Sequence, residues 1–178
     1  MEQVVQISNQ NLLDTSRLND ANYVTNIEKS GFFIAPCKLA NILKDENRIV
    51  LGIKDENHVL AYIWLTKKIE IQEYTWTDKT AQAGIINQEA YFLKKIGMVQ
   101  TQQGRGLGTT LMNNLGPLLK NHSIKFLYAL VAYNPIKNLA SIGFNLKHGL
   151  KQVAISPKVT YSGFKDYQCV LFAKELIR

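Results

Sequence analysis

Tyr91 to Gly108 reads YFLKKIGMVQTQQGRGLG, and the chain continues as LGTTLMNNL from Leu107. The stretch reads as a strand, a glycine-rich turn and the start of a helix. Gly104, Gly106 and Gly108 remove side chains where backbone must bend tightly or approach a ligand. The amides of a helix's first turn have no partner inside the helix, and the helix dipole adds partial positive charge at the same end. Arg105 adds a full charge. Such a junction suits phosphate. Glycine turns before helices also arise from plain strand–helix packing.

Three phosphate-binding patterns compete for this turn. A dinucleotide fingerprint, Gly-x-Gly-x-x-Gly, fails because its third glycine falls on Thr109. A Walker A loop fails because its second glycine also falls on Thr109 and no Lys follows. The run Gln103-Gly104-Arg105-Gly106-Leu107-Gly108 does fit a third pattern. It resembles the Gln/Arg-x-x-Gly-x-Gly/Ala loop of the GNAT superfamily of N-acetyltransferases, which grips the pyrophosphate of acetyl-coenzyme A.

A second stretch strengthens the resemblance. From Asn138 the chain reads NLASIGFNLKHGL. GNAT enzymes carry a similar helix, Asn-x-x-Ser-x-x-Leu/Phe-Tyr-x-Lys-x-Gly-Phe, one strand after the pyrophosphate loop. Asn138, Ser141, Phe144, Lys147 and Gly149 fall on that spacing, and Leu150 replaces the final Phe. The resemblance covers Tyr91 to Leu150 well, and the first 47 residues match by position only. It implies a mixed α/β fold: a strongly twisted sheet flanked by helices, its central parallel strand pair splayed to hold coenzyme A. It also implies a pantetheine arm on Met98 and Val99, a pyrophosphate held by Gln103, Gly104, Arg105, Gly106, Leu107, Gly108 and Thr109, and cofactor contacts from Asn138 and Ser141. In the plain alternative Asn138 faces solvent and Ser141 is a small packing residue.

Composition agrees with an ordinary globular chain. The 178 residues suit one domain, 1–178, and are 46% hydrophobic and 20% charged. No apolar run approaches the about 20 residues needed to span a bilayer, and MEQVVQISNQ has no features of a secretory signal. Cys37 and Cys169, the only cysteines, suggest reduced thiols and a cytoplasmic setting. His58, His122 and His148 show no metal-ligand spacing with them, so no metal is expected. The net charge of +7 favours acidic or phosphate-bearing partners. Its lysines are scattered, without the basic clusters interleaved with aromatics that nucleic-acid binding uses.

Along the chain, Val4–Ser8 is a candidate strand, residues 12–29 hold one or two short helices, and Pro36 opens a helix through Lys44. Arg48–Ile53 and His58–Thr66 form a hairpin around the turn KDEN, which Ile69, Ile71 and Tyr74 extend. Glu73–Asn87 is the least regular region and reads as a loop. After the strand Ala90–Val99, the helix places Leu107, Leu111, Leu115 and Leu118 on one stripe, with Gly116-Pro117 expected to kink or interrupt it. Ile124–Ala132 is apolar enough for a buried strand parallel to the one before the turn. Asn134-Pro135 is read as cap and first residue of the next helix, ended by Gly149. Leu150–Ile155 and Tyr167–Lys174 are the closing strands.

The implied reaction moves an acetyl group from acetyl-CoA to an amine. It needs an oxyanion donor, for which a backbone N–H near Val99 would serve, a base and an acid. Glu89 is the candidate base, with Glu73 weaker. Many relatives carry a Tyr acid immediately after the Leu/Phe of the second helix. Here that position is Asn145, which cannot serve as an acid. Tyr133 and Tyr167 are the candidate substitutes. Partners implied are acetyl-CoA and an amine acceptor, with no specific nucleic acid and no membrane, and a homodimer stays open. Asn145 also motivates an alternative, a non-catalytic acyl-CoA-binding or sensor domain. The acceptor itself, whether small amine, antibiotic, amino acid, polyamine or protein N-terminus, has no motif.

Overall fold

The computed structural model describes residues 2–7, 47–55, 58–67, 73–87, 89–98, 100–121, 124–161 and 163–176. In chain order the first elements are β1 (Gln3–Ile7), β2 (Arg48–Asp55), β3 (His58–Thr66), β4 (Thr75–Trp76), α1 (Lys79–Ile86) and β5 (Ala90–Met98). A 3-10 turn (Gln100–Gln102) leads to α2 (Leu107–Asn121), β6 (Phe126–Asn134), α3 (Leu139–Lys147), β7 (Lys151–Ile155), β8 (Val159–Tyr161) and β9 (Phe164–Glu175). The helices expected over 12–29 and 36–44 lie outside the described residues. The chain gathers into two compact units, Met1–Thr66 with Lys94–Gly116 and Lys67–Leu93 with Pro117–Arg178.

In the first unit β1, β2 and β3 form an antiparallel meander. β2 is buried on both faces from Ile49 to Ile53. Ile49, Leu51 and Ile53 stand opposite Leu65, Ile63 and Ala61, and all six are buried. A one-residue slip would turn this whole set to the other face. β3 also neighbours β5. In α2, Leu107, Leu111, Leu115 and Leu119 are buried at four-residue spacing. Leu119, fully buried, takes the place expected for Leu118, which is only half-buried. The expected break at Gly116-Pro117 is also corrected, because α2 runs through both residues. Pro117 is exposed, so its ring has room. The carbonyl it leaves without an amide belongs to Asn113, also exposed, where water can serve.

In the second unit β5 pairs with β6 in parallel from Ala90↔Phe126 to Leu93↔Ala129. β6 pairs with β9, β9 with β7 and β8, and β7 with β4, all antiparallel. The mixed α/β class expected from the sequence is the class observed. The core of this unit joins Phe92, Phe126, Tyr128, Val153 and Leu171 to Ala81 and Ile85 of α1.

That helix corrects the expectation of a loop over Glu73–Asn87. Asp78 caps it, its side chain accepting the Ala81 N–H at 3.0 Å. A Cβ on Gly84 would overlap the Phe126 ring. Gly84 lowers intrinsic helix propensity yet permits this close packing, and burial of Ala81 and Ile85 outweighs the local weakness. Tyr74 precedes β4, which pairs with β7 and does not extend the hairpin. The cap expected at Asn134 is corrected too. Asn134 ends β6, where its side chain donates to the Asp166 carbonyl at 2.7 Å. Asn138 caps α3 instead.

Candidate functional site

In the first unit β5 ends at Met98, half-buried, and Val99 lies outside the described residues. Gln103, Gly104, Arg105 and Gly106 are exposed. Gly104 has φ +82° and Gly106 φ +81°, left-handed values that L side chains rarely adopt. A Cβ at either would meet nothing within 4 Å. Backbone conformation, not space, therefore demands glycine here.

The Gly106 carbonyl accepts the Thr110 N–H at 3.0 Å, the first bond of α2. Backbone N–H groups earlier in that turn have no acceptor within the helix. They face the end where the dipole is positive, and no acidic residue stands in the first turn. Leu107 and Gly108 are buried and anchor the turn, while Thr109 is half-buried. Arg105 forms an ion pair with Glu2 at 2.9 Å and donates to the Gln102 side-chain oxygen. Pairs this exposed contribute little, so the guanidinium can exchange Glu2 for a phosphate.

In the second unit α3 arranges the other motif. Asn138 Oδ1 accepts the Ser141 N–H at 3.0 Å, and Asn145 Nδ2 donates to the Ser141 carbonyl at 2.8 Å. Two side chains thus hold the backbone of half-buried Ser141. Asn145 is 2% exposed, and its Oδ1 has no hydrogen-bond partner among the described residues. Gly149 at φ +78° ends the helix, with the Leu150 N–H returning to the Asn145 carbonyl at 3.0 Å.

The three catalytic candidates also lie in this unit. Glu89 accepts a hydrogen bond from the Lys125 ammonium, and its carbonyl accepts the N–H groups of Lys125 and Phe126, each at 3.0 Å. It precedes β5, whereas the glycine turn follows β5. Tyr133 is half-buried, with Lys137 Nζ 4.5 Å from its ring centroid. Tyr167 is half-buried, its hydroxyl accepting from the Cys169 thiol at 3.2 Å and its ring 4.9 Å from that of Tyr161. Burial pushes the Tyr167 phenol well above its ordinary value, and the neighbouring Cys169, Tyr161 and Tyr74 add to the shift.

Sequence reading missed Lys125 as the partner of Glu89, since nothing in the linear pattern links positions 36 apart. It also missed the Asp78 cap, whose signal was an Asp just before the short apolar-spaced run. Among the described residues no group of three His, Cys, Asp or Glu side chains could hold a metal. None of the described helices is long and apolar enough to cross a membrane.

A family model described as Acetyltransferase (GNAT) family matches residues 14–150. No curated protein matches the chain in sequence. Solved structures resemble it throughout. The ribosomal-protein-S18-alanine N-acetyltransferase from Escherichia coli aligns at TM-score 0.63 and 14% identity, covering 99% of this chain and 94% of that one. An aminoglycoside 6'-N-acetyltransferase complexed with coenzyme A aligns at 0.67 and 14%, covering 99% and 98%. An N-acetyltransferase from Staphylococcus aureus Mu50 aligns at 0.66 and 14%, covering 99% of each.

Proposed function

This chain belongs to the acetyltransferase (GNAT) family and is an acetyl-CoA-dependent N-acetyltransferase, and from that premise we propose how its residues divide the work. The whole chain, 1–178, acts as one catalytic domain. The exposed turn with two left-handed glycines before α2 carries the proposal. Gln103 to Thr109 hold the pyrophosphate through first-turn amides, with Arg105 released from Glu2 to add charge. Met98 and Val99 present backbone groups to the pantetheine amides, as an added strand would. Asn138 and Ser141 touch the cofactor arm with what their capping bonds leave over.

The acceptor amine, in its neutral form, attacks the thioester carbonyl carbon. A backbone N–H near Val99 stabilises the oxyanion. The carbon–sulfur bond breaks, the amine nitrogen passes a proton to solvent water, and the departing thiolate gains one. For that last step we assign Tyr133. Burial pushes the Tyr167 phenol well up, which makes it a reluctant proton donor at neutral pH. Glu89, tied to Lys125 at the other end of β5 from the turn, we read as a structural ion pair. The acceptor is an amine. Two neighbours act on a ribosomal-protein alanine and an aminoglycoside, so the shared fold does not select one. The protein works in the cytoplasm, apart from membranes and specific nucleic acid, and a homodimer is compatible with the proposal.

Thermal unfolding with acetyl-CoA, ATP, NAD and a DNA duplex in parallel tests this. A ligand at a hundred times its Kd adds about 2.7 kcal/mol. Stabilisation by acetyl-CoA alone is expected, and stabilisation by ATP, NAD or DNA instead would overturn the assignment of the turn. A second proposal, a non-catalytic acyl-CoA sensor, draws on the buried amide of Asn145 at the acid position. Thiol release from acetyl-CoA with any amine removes it.

A further inference from the structure

β5 carries a glycine close to its end. Gly97 is buried, one residue before Met98. A Cβ built on it would overlap Cε1 of Tyr62 and stand 2.8 Å from Cζ and 3.1 Å from the hydroxyl oxygen. Real Cβ atoms essentially never come under 3.0 Å, as the two ring carbons would require, so the Tyr62 ring fills the space a side chain at 97 would take. Tyr62 is 1% exposed. Its register partner on β2 is Gly52. The ring therefore has a glycine beside it on each neighbouring strand. Interior glycine weakens a strand, through lost contacts and extra backbone freedom. An aromatic ring laid over such glycines restores packing.

We infer that Tyr62 is a positioning residue for acetyl transfer: pressed against Gly97, it fixes the end of β5 that holds the thioester. The inference rests on the proposal that Met98 receives the cofactor arm. Backbone groups reserved for a ligand are not available to a neighbouring strand. The β6 pairing stops at Leu93, so beyond it the order that β3 gives this segment is completed by side-chain packing. Gly97 has no side chain to supply it, and Tyr62 supplies it from β3. Tyr62 touches no reacting atom in this scheme and acts through Gly97. A small misplacement of the reacting carbonyl is costly, because the productive geometry is narrow.

The test is calorimetric titration of wild type, Tyr62→Leu, Gly97→Ala and the double variant with CoA and with acetyl-CoA, alongside thermal unfolding. Wild type is expected to prefer acetyl-CoA, the strand end reading the acetyl carbonyl. Each single variant should lose that preference by roughly fivefold, the size of one hydrogen bond's net contribution. Its Kd for CoA should stay within about twofold, because the glycine turn is untouched. The double variant, in which the smaller Leu leaves room for the added methyl group, should regain part of the preference. Lowered stability with an unchanged acetyl-CoA to CoA ratio would overturn the inference and leave Tyr62 a packing residue. A wild type that binds both ligands alike would overturn it too. If Gly97→Ala does not fold, Tyr62→Leu and the double variant carry the comparison. A wild type that binds neither ligand would instead sink the proposed cofactor site itself.

Discussion

The Glu89 carboxylate and the Lys125 ammonium form an ion pair at the point where β5 and β6 begin their parallel run. Both side chains are about one-third exposed, so solvent screens the pair. Glu89→Gln is expected to lower stability by no more than about 1 kcal/mol. Turnover should stay within about twofold of wild type, since a lost general base would cost on the order of a hundredfold. Denaturant melts and kcat on the same preparation separate the two roles. A hundredfold loss of kcat in a stable variant would restore Glu89 as the base.

Gly106 allows strain and charge to be told apart. Gly106→Ala adds a Cβ that meets nothing, so only the left-handed backbone resists it, at about 1–2 kcal/mol. Its CoA affinity should fall only a few-fold if the turn keeps its shape. Gly106→Asp carries similar strain and also sets a carboxylate beside the proposed pyrophosphate. We expect its Kd for CoA to exceed that of the Ala variant by roughly tenfold or more. Equal affinities in the two variants would move the phosphates away from this turn.

Tyr133→Phe should lower kcat by on the order of a hundredfold with little change in CoA affinity. Tyr167→Phe should leave kcat within a few-fold, because burial makes its phenol hold the proton more tightly. The reverse pattern would transfer the acid role to Tyr167. Wild-type rates in both would leave the thiolate departing without a tyrosine acid.

Stability at high pH is set by buried phenols. Tyr128 is fully buried and donates its hydroxyl to the Ala81 carbonyl, and burial holds its pKa well above the ordinary 10.0. Tyr167 is shifted the same way. Above pH 10 the unfolded chain loses these protons while the folded chain keeps them. The unfolded state then binds fewer protons, so stability, complete below pH 10, falls as pH rises. Each phenol contributes a slope of up to about 1.4 kcal/mol per pH unit. Urea melts from pH 8 to pH 11 should show that decline, and Tyr167→Phe should flatten it. An unchanged slope would mean the Tyr167 phenol ionises in the folded protein as it does in the unfolded one.

The parts legible in the sequence were those fixed by local chemistry. Gly104 and Gly106 announced a tight turn, and the apolar runs on either side of KDEN announced a hairpin. Gly149 announced the end of α3. What escaped was decided by contacts far along the chain. α1 has a Thr, a Gly and two Ile where a strong helix would have better formers, and it stands because Ala81 and Ile85 meet Phe126 and Tyr128. Asn134-Pro135 offered a better local cap than Asn138, yet β6 needed Asn134 for pairing with β9. The catalytic side chains were least legible. A lone Glu or Tyr carries no sign of its partner, and Lys125 and Cys169 became visible as such only in three dimensions.

β9 follows β4, β6 and β7 in the chain, yet among the described strands β7 reaches β6 only through it, and β4 reaches the rest of its sheet only through β7. During synthesis, therefore, the glycine turn and its helix leave the ribosome before the strand that completes the second unit. A chain stopped at Gly163 would contain every residue proposed to hold the cofactor and still lack the strand that pairs β7, and β4 through it, with β6. Its apolar strand β6 would keep an open edge where β9 belongs, an invitation to pair with other chains. Premature termination near the end of this chain should thus be read out as aggregation of the nascent product before it is read out as lost catalysis.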